Sequence, residues 1–247
     1  MVRRIWVCAL ALGLVLSFAG CALVNPVQLI SGNGEITDTH IPISERFDRV
    51  VSLGSFDVIL STEASDTILF QVDENILPYL ELDVYVSGTT LYLSVQNVTH
   101  MTSPTLFQFH VGVADLAAVR LAGSGSIRSD GVFRTDTFEA VVTGSGDIRL
   151  SVDIADEIDA SVSGSGDILL SGSADRVNVV VAGSGTADLR NVSAGSAVAS
   201  VAGSGVAIVY ATGSVQATVT GSGNVIYHGD PPNVNTSVTG SGNVRRG

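Results

Sequence analysis

The sequence predicts an all-β protein: a right-handed parallel β-helix with coils of about 20 residues and a less regular N-terminal part. Three observations predict it. Gly-Ser-Gly recurs at a regular interval, the residues between the copies alternate apolar and polar, and no segment after residue 20 has a sustained helical period. Coils of this length would stack so that each strand pairs with the next coil, and the right hand follows from the known preference of strand crossovers.

The repeat is the strongest of these signals. Gly-Ser-Gly occurs seven times with spacings of 18 to 21 residues, beginning at Gly123, Gly144, Gly164, Gly183, Gly203, Gly221 and Gly240. We interpret two earlier stretches as degraded copies: "GNGEI" from Gly32, and "LGSFDVIL" from Leu53, where Phe56 replaces the second glycine. A sharp corner beside a neighbouring coil favours glycine, which has no Cβ and tolerates positive φ. The serine hydroxyl between the glycines can bond along the stack.

Strands are predicted throughout both parts of the domain. In residues 121–247, runs such as "FEAVVTGSG" and "RVNVVVAGSG" alternate with period two, which predicts regular coils. Residues 32–120 are less regular: "VSGTT" predicts a hairpin turn, and "DENILPYL" predicts a short helical or irregular excursion around Pro78. Aromatic residues concentrate in this part, and they form either core or a binding face: Tyr79, Tyr85, Tyr92, Phe107 and Phe109.

The N-terminus predicts export. Arg3 and Arg4 precede an apolar run over residues 5–18, and small residues then lead to Cys21. We predict that residues 1–20 are a lipoprotein signal peptide, that Cys21 is lipidated and anchors the protein to a membrane, and that residues 21–31 are a linker. A plain secreted protein and an uncleaved anchor are the alternatives. The predicted location is the cell envelope, either periplasmic or cell-surface.

The net charge limits the kinds of partner that the protein can bind, and the cysteine positions show whether a disulfide can form. The net charge is -12, and every basic residue is arginine. Nucleic acids and anionic lipid surfaces both require a basic footprint, so neither is predicted as a partner. Cationic partners remain compatible. Because the two cysteines are Cys8 and Cys21, the mature domain is predicted to contain no disulfide.

One position in each predicted corner could bind a metal. The residue after the glycines forms a column: Glu35, Asp57, Ser126, Asp147, Asp167, Thr186, Val206, Asn224 and Asn243. Asp147 and Asp167 would lie one strand spacing apart, where Ca²⁺ could bridge two carboxylates. The column turns neutral at Thr186, which favours solvent-exposed turn residues instead. Arg149 is expected on the opposite face from Asp147. No other metal ligand, cofactor or catalytic residue is predicted.

The order of these segments carries a family resemblance. "SGNGEI", "ISERFDRVVSLGSFDVIL", "DENILPYLEL", the Gly-Ser-Gly coils and "VIYHGDPPNVNTSVTGSGNVRR" together resemble the bacterial head GIN domain of autotransporter-adhesin type. The resemblance covers residues 32–247. It implies a right-handed β-helical domain on exported, often lipid-anchored bacterial proteins, and it supplies no catalytic or ligand residues.

The predicted function is a non-enzymatic adhesin or binding module at the cell envelope, with a glycan or a protein as ligand. The alternatives are a carbohydrate-active β-helix enzyme, either a polysaccharide lyase or a hydrolase, and a structural or sensory envelope protein. "YHGDPP" brings His228 near Asp230, but glycine and proline predict a turn there. The last coil has no neighbour after "GNVRRG", which predicts weak self-association through the C-terminal coil.

Overall fold

The computed structural model describes residues 29–98 and 101–247. The predicted signal peptide, Cys21 and most of the predicted linker lie outside these residues. Within them, no helix has the length and apolar character needed to cross a membrane.

The described residues form strands joined by short turns, and they include the 3-10 helix given below. In chain order the elements are β1 (Ile30–Ser31), β2 (Ile36–Pro42), β3 (Arg49–Gly54), β4 (Asp57–Ser61), β5 (Thr67–Asp73), the 3-10 helix (Leu77–Tyr79), β6 (Glu81–Ser87), β7 (Thr90–Gln96), β8 (Met101–Ser103), β9 (Phe107–Gly112), β10 (Ala118–Gly123), β11 (Ser126–Gly144), β12 (Asp147–Gly164), β13 (Asp167–Gly183), β14 (Thr186–Gly203), β15 (Val206–Gly221), β16 (Asn224–His228), β17 (Asn233–Gly240) and β18 (Asn243–Arg246).

The strands from β11 to β15 each trace one coil, and successive coils pair in parallel. The register follows the repeat, since Gly144 pairs with Gly164 and Gly164 pairs with Gly183. Later coils continue in the same way through β16, β17 and β18. The predicted β-solenoid is therefore confirmed, with about six turns of roughly 20 residues.

Backbone hydrogen bonds join the corners of the solenoid. The N–H groups of Ser165 and Gly166 donate to the carbonyl oxygen of Gly144, at 2.9 and 3.0 Å. Gly164 has a φ of +132°, which other residues rarely adopt. Gly166 is buried, and a Cβ there would overlap the carbonyl oxygen of Gly146. The Ser165 side chain is exposed to solvent, so the corners are joined through the backbone.

The stack begins with "LGSFDVIL". Gly54 pairs with Gly123, and Asp57 pairs with Ser126, which confirms that this stretch is a coil. Phe56 is buried beneath this first corner and packs edge-on against Phe109, with ring centroids 4.9 Å apart.

The prediction that "GNGEI" also begins a coil is wrong. The strand that follows it, β2, pairs antiparallel with β5 over its whole length and lies outside the parallel stack. The Gly34 N–H is bound by the Asp73 carboxylate, at 2.8 Å. Glu35 therefore does not belong to the column of residues after the corners.

Residues 62–117 are an insertion between two adjacent coils. β6 and β7 form the predicted hairpin, with Gly88 at a φ of +64° in its turn. The predicted excursion around Pro78 is the 3-10 helix. β5 also pairs antiparallel with β9, and β9 runs parallel to β4. Ile30 and Ser31, assigned to the linker from sequence, instead form β1 beside β8.

The core lies inside the stacked coils and changes in composition along them. At the N-terminal end it contains large buried rings, including Phe70, Phe109, Phe133 and Phe138. Later coils bury smaller side chains, including Ala187, Ala194, Ala197, Ala199, Ala211 and Ala217. The alternation seen in the sequence is thus an alternation between core and surface, as expected for period two.

One buried polar group in this core has no partner among the described residues. Ser52 in β3 is 0% exposed, and its hydroxyl makes no hydrogen bond there. Burying an unpaired hydroxyl costs about 1 to 3 kcal/mol. We therefore expect Ser52→Ala to raise the free energy of unfolding by about 1 kcal/mol. Urea denaturation checks this, with exposed Ser165→Ala as the control; a lower stability for Ser52→Ala would contradict it.

The C-terminal coil is exposed along an edge. All of β17 is exposed, including Val234 and Val238, which are 37% and 43% exposed. Among the described strands, β17 pairs with β15 alone and β18 pairs with β16 alone. Exposed edges of this type allow association with another chain. The predicted self-association through this coil stays a prediction.

Candidate ligand-binding surface

One outward-facing row of side chains crosses the sheet that contains β6, β7, β3, β10 and β11. Its members pair in register from strand to strand: Tyr85, Tyr92, Val51, Arg120 and Val141. Alternation in each strand places all five on the side away from the core. The row therefore brings two aromatic rings and a guanidinium group to one surface, although the residues are distant in sequence.

The aromatic residues picked out from the sequence divide between core and surface. Phe109 is fully buried and Phe107 is half-buried, as the core interpretation expects. Tyr79 and Tyr85 are 55% and 46% exposed. Tyr85 stacks on Tyr92 with ring centroids 5.1 Å apart and an interplanar angle of 14°. The tyrosines, not the phenylalanines, supply an aromatic surface.

A shallow groove of about 300 Å³ lies beside Tyr92. We call it the tyrosine groove; its lining residues are Arg49, Val50, Val51, Thr90, Tyr92, Ala118, Val119, Arg120 and Glu139. Glu139 lies 3.5 Å from both Arg49 Nη1 and Arg120 Nη2. These pairs are long and their side chains are about half exposed, so all three charged groups keep hydrogen-bonding capacity for a ligand.

The groove residues Arg49, Arg120 and Glu139 were not identified as candidate site residues from the sequence. The signal that could have found them is the repeat itself, because Ala118 pairs with both Arg49 and Glu139 in adjacent coils. Extending the register from the corners into the strands would have placed these charges together.

The structure brings the candidate metal ligands Asp147 and Asp167 into direct register. Each carboxylate already has a partner: Arg149 Nη2 lies 2.9 Å from Asp147 Oδ2, and the Thr186 N–H donates to Asp167 Oδ1 at 2.9 Å. Among residues 29–98 and 101–247, no group of three or more His, Cys, Asp or Glu could hold a metal ion. Ca²⁺ binding at Asp147 and Asp167 stays the less favoured of the two interpretations, after solvent-exposed turn residues.

The expectation that Arg149 points away from Asp147 is wrong. Residues two apart in a strand share a face, so Arg149 lies beside Asp147 on the outer surface. Its guanidinium group offsets the repulsion between the two neighbouring aspartates.

His110 lies in a polar contact with two glutamines. His110 Nε2 lies 3.0 Å from Gln71 Oε1 and 2.8 Å from Gln108 Nε2, across the antiparallel pairing of β5 and β9. His228 is in β16, and the nearby Asp230 pairs with Arg246 at 3.1 Å. Asp230 thus already has a charged partner at the surface.

Asp73 links separate segments of the N-terminal part through hydrogen bonds, and it was not recognised from the sequence. Its buried carboxylate accepts hydrogen bonds from the N–H groups of Gly34, Thr105 and Leu106, at 2.8, 2.7 and 3.5 Å. Burial alone would raise the pKa of Asp73, but these hydrogen bonds outweigh it and hold the pKa below its usual value. We call this arrangement the Asp73 clasp; it joins two segments distant in sequence.

Together these features define a parallel β-solenoid protein with an aromatic groove on one outer sheet. The chain belongs to the family described as "Putative auto-transporter adhesin, head GIN domain", whose model matches residues 46–231. The sequence matches none of the curated proteins with which it was compared.

Several solved structures share the fold. A putative adhesin from Bacteroides fragilis is 21% identical with a TM-score of 0.75, covering 88% of this chain and 99% of its own. A putative lipid binding protein from Parabacteroides distasonis is 27% identical with a TM-score of 0.68, and the same shares are covered. A putative adhesin from Parabacteroides merdae is 22% identical with a TM-score of 0.67, covering 89% of this chain and 99% of its own.

Proposed function

We propose that this protein is a non-enzymatic adhesion module of the cell envelope and that its tyrosine groove binds a glycan. The observation that carries the proposal is the Tyr92 ring beside Arg49, Arg120 and Glu139 in one groove. The family description, an autotransporter-adhesin head, supports the adhesive role and an exported location.

The groove suits the chemistry of a sugar. A sugar ring has an apolar C–H face that can pack on an aromatic ring, and hydroxyl groups at its rim that both donate and accept hydrogen bonds. Tyr92 provides the ring. Arg49 and Arg120 donate, and Glu139 accepts. The Tyr85 ring stacked on Tyr92 fixes the orientation of the Tyr92 ring, which lowers the entropy lost on binding.

The number of carboxylates favours binding over hydrolysis. A glycoside hydrolase generally uses two carboxylates that flank the scissile bond. Glu139 supplies the carboxylate in the lining of the tyrosine groove. This composition supports a lectin-like site and not the glycoside hydrolase that the fold also admits.

Membrane attachment through a lipid on Cys21 is part of the proposal. From Cys21 to the first described strand at Ile30 there are nine residues, which reach at most about 30 Å when extended. A domain held on this linker would stay close to its membrane. Its ligand would then be a component of the envelope or of a surface in contact with it.

A glycan array tests the proposed site. We expect the protein to bind at least one neutral glycan, and Tyr92→Ala to weaken that binding about tenfold through loss of ring packing. Tyr79→Ala is the matched control, because Tyr79 is exposed but lies outside the groove lining. Thermal unfolding of both variants checks that each is folded. Equal binding by the two folded variants, or no glycan bound by the parent protein, would refute the proposal.

A further inference from the structure

A second cavity, of about 550 Å³, lies where four loops of the N-terminal part meet. We call it the corner pocket; residues 43–48, 64–66 and 112–115 line it, together with Thr89. It shares no lining residue with the tyrosine groove.

Backbone hydrogen bonds hold the loops of the corner pocket together. The Ile43 N–H donates to the Asp66 carbonyl oxygen at 2.7 Å, and the Asp48 N–H donates to the Thr89 carbonyl oxygen at 3.0 Å. Gly112 allows a further close approach, since a Cβ there would overlap the carbonyl oxygen of Glu63. The pocket is therefore preformed, and binding there would require little ordering of the loops.

The floor of the pocket is apolar. Ile43 and Val113 are buried, and the Phe47 ring is half-buried beside them. Ala64 and Ala114 are exposed at the wall and leave the space above the floor open. An aliphatic side chain seated on this floor would lose contact with water and gain contact with three apolar residues.

The rim of the pocket is acidic. It contains the carboxylates of Glu45, Asp48, Asp66 and Asp115 against a single guanidinium group, that of Arg46. Within the described part of the chain, Glu45, Asp66 and Asp115 take part in no ion pair.

Asp48 adds a buried oxygen atom to this rim. Its Oδ1 accepts no hydrogen bond from the described residues and lies 3.9 Å from Arg49 Nε. With almost no accessible surface, this oxygen contributes negative charge to the rim and not a direct contact.

We propose that the corner pocket binds a basic segment of a partner protein. An aliphatic side chain of the partner packs on the Ile43, Phe47 and Val113 floor, and an adjacent lysine or arginine pairs with the carboxylates at the rim. Charge complementarity selects this partner: the site is acidic within a chain of net charge -12, so anionic segments are repelled and cationic ones are attracted. The proposal does not depend on glycan binding.

Fluorescence anisotropy with a labelled peptide of alternating leucine and arginine tests this proposal. We expect it to bind more tightly than the same peptide with glutamine in place of arginine, and to weaken as ionic strength rises. Neutralising the rim with Glu45→Gln, Asp66→Asn and Asp115→Asn should weaken binding about tenfold, or about 1.4 kcal/mol. These side chains are exposed, so the substitutions leave the fold intact.

Two further variants separate the pocket from the general charge of the protein. Asp130→Asn, Asp136→Asn and Asp159→Asn remove the same charge from exposed positions on the solenoid, and binding should change less than about twofold. Ala114→Arg places a cation in the pocket and should block binding. Equal weakening by the two triple variants, unchanged binding by Ala114→Arg, or equal binding of the arginine and glutamine peptides would each overturn the proposal. Glycan binding by all these variants should match that of the parent, so the failure of one site can be distinguished from failure of the other.

Discussion

Gly166→Val is expected to destabilise the solenoid by about 3 kcal/mol or more, the largest stability effect that we predict for a single substitution. The cause is steric: a Cβ on Gly166 would overlap the carbonyl oxygen of Gly146, which belongs to the adjacent coil. A backbone atom cannot move aside as a flexible side chain can. The coils would have to separate at this corner, which would weaken the hydrogen bonds from Ser165 and Gly166 to Gly144.

Ser165→Val is the matched control, because Ser165 lies in the same corner with its side chain in solvent. Its effect should stay within about 0.5 kcal/mol. Urea denaturation followed by far-UV circular dichroism measures both variants. If both lose the same stability, the corner is sensitive to any change of residue, and the close approach of adjacent coils is not the cause.

Asp73→Asn is expected to destabilise the N-terminal part by about 2 kcal/mol, because hydrogen bonds to a charged acceptor are worth more than those to a neutral one. Because Gly34 and Thr105 donate to different oxygens of the carboxylate, the amide NH₂ group of asparagine would face one of these two N–H donors and leave it without an acceptor. Hydrogen exchange of these two amides should increase. Glu74→Gln is the control, since Glu74 is adjacent in sequence but exposed. Equal exchange in the two variants would contradict the role of the clasp.

The Asp73 clasp should also weaken in acid. The pKa of Asp73 is lowered in the folded protein, so the ionised carboxylate contributes stability at pH values above its unfolded pKa of about 3.9. That contribution is lost as the pH falls through the lower folded value. We therefore expect the protection factors of the Gly34 and Thr105 amides, taken relative to intrinsic exchange at each pH, to fall below about pH 4 in the parent protein and to change less in Asp73→Asn. Identical pH profiles would contradict this.

The repeat made the solenoid predictable from the sequence. Seven copies of Gly-Ser-Gly fix both the coil length and the register, so pairs such as Asp147 with Asp167 could be inferred directly. The degraded copy at Leu53 was also recognised, although an insertion of more than 50 residues separates it from the next coil. Period-two alternation then identified which side chains face the core.

The arrangement of the N-terminal strands outside the stacked coils could not be predicted in the same way. β2, β5 and β9 pair antiparallel, and no repeated residue marks their register. "GNGEI" looks like a corner because glycine serves two different purposes: Gly34 turns the chain toward the Asp73 carboxylate, whereas Gly164 turns it beside another coil. Asp73 itself has no distinguishing pattern, since its three donors come from segments more than 30 residues away.

The tyrosine groove and the corner pocket depend on this insertion. Tyr92 comes from the inserted hairpin, whereas Arg120 and Glu139 come from coils of the stack. The aromatic region is recognisable from the sequence, but Tyr92 cannot be told from Phe109 there, because both lie in alternating strands. Which face of each strand is buried decides their roles, and that depends on pairing with β3 and β4.

Because of the insertion, paired residues are separated by very different lengths of chain in the two parts of the protein. Neighbouring coils from β11 onward join residues about 20 positions apart, so forming these contacts costs little loop-closure entropy. Each completed coil then offers strand edges with which the next coil can pair. Joining β4 to β11 instead closes a loop of 69 residues, as from Asp57 to Ser126. Closing a longer loop costs more conformational entropy and slows the formation of the native strand pairing. We therefore expect the C-terminal coils to nucleate folding and the segments that form both candidate sites to assemble onto them afterwards.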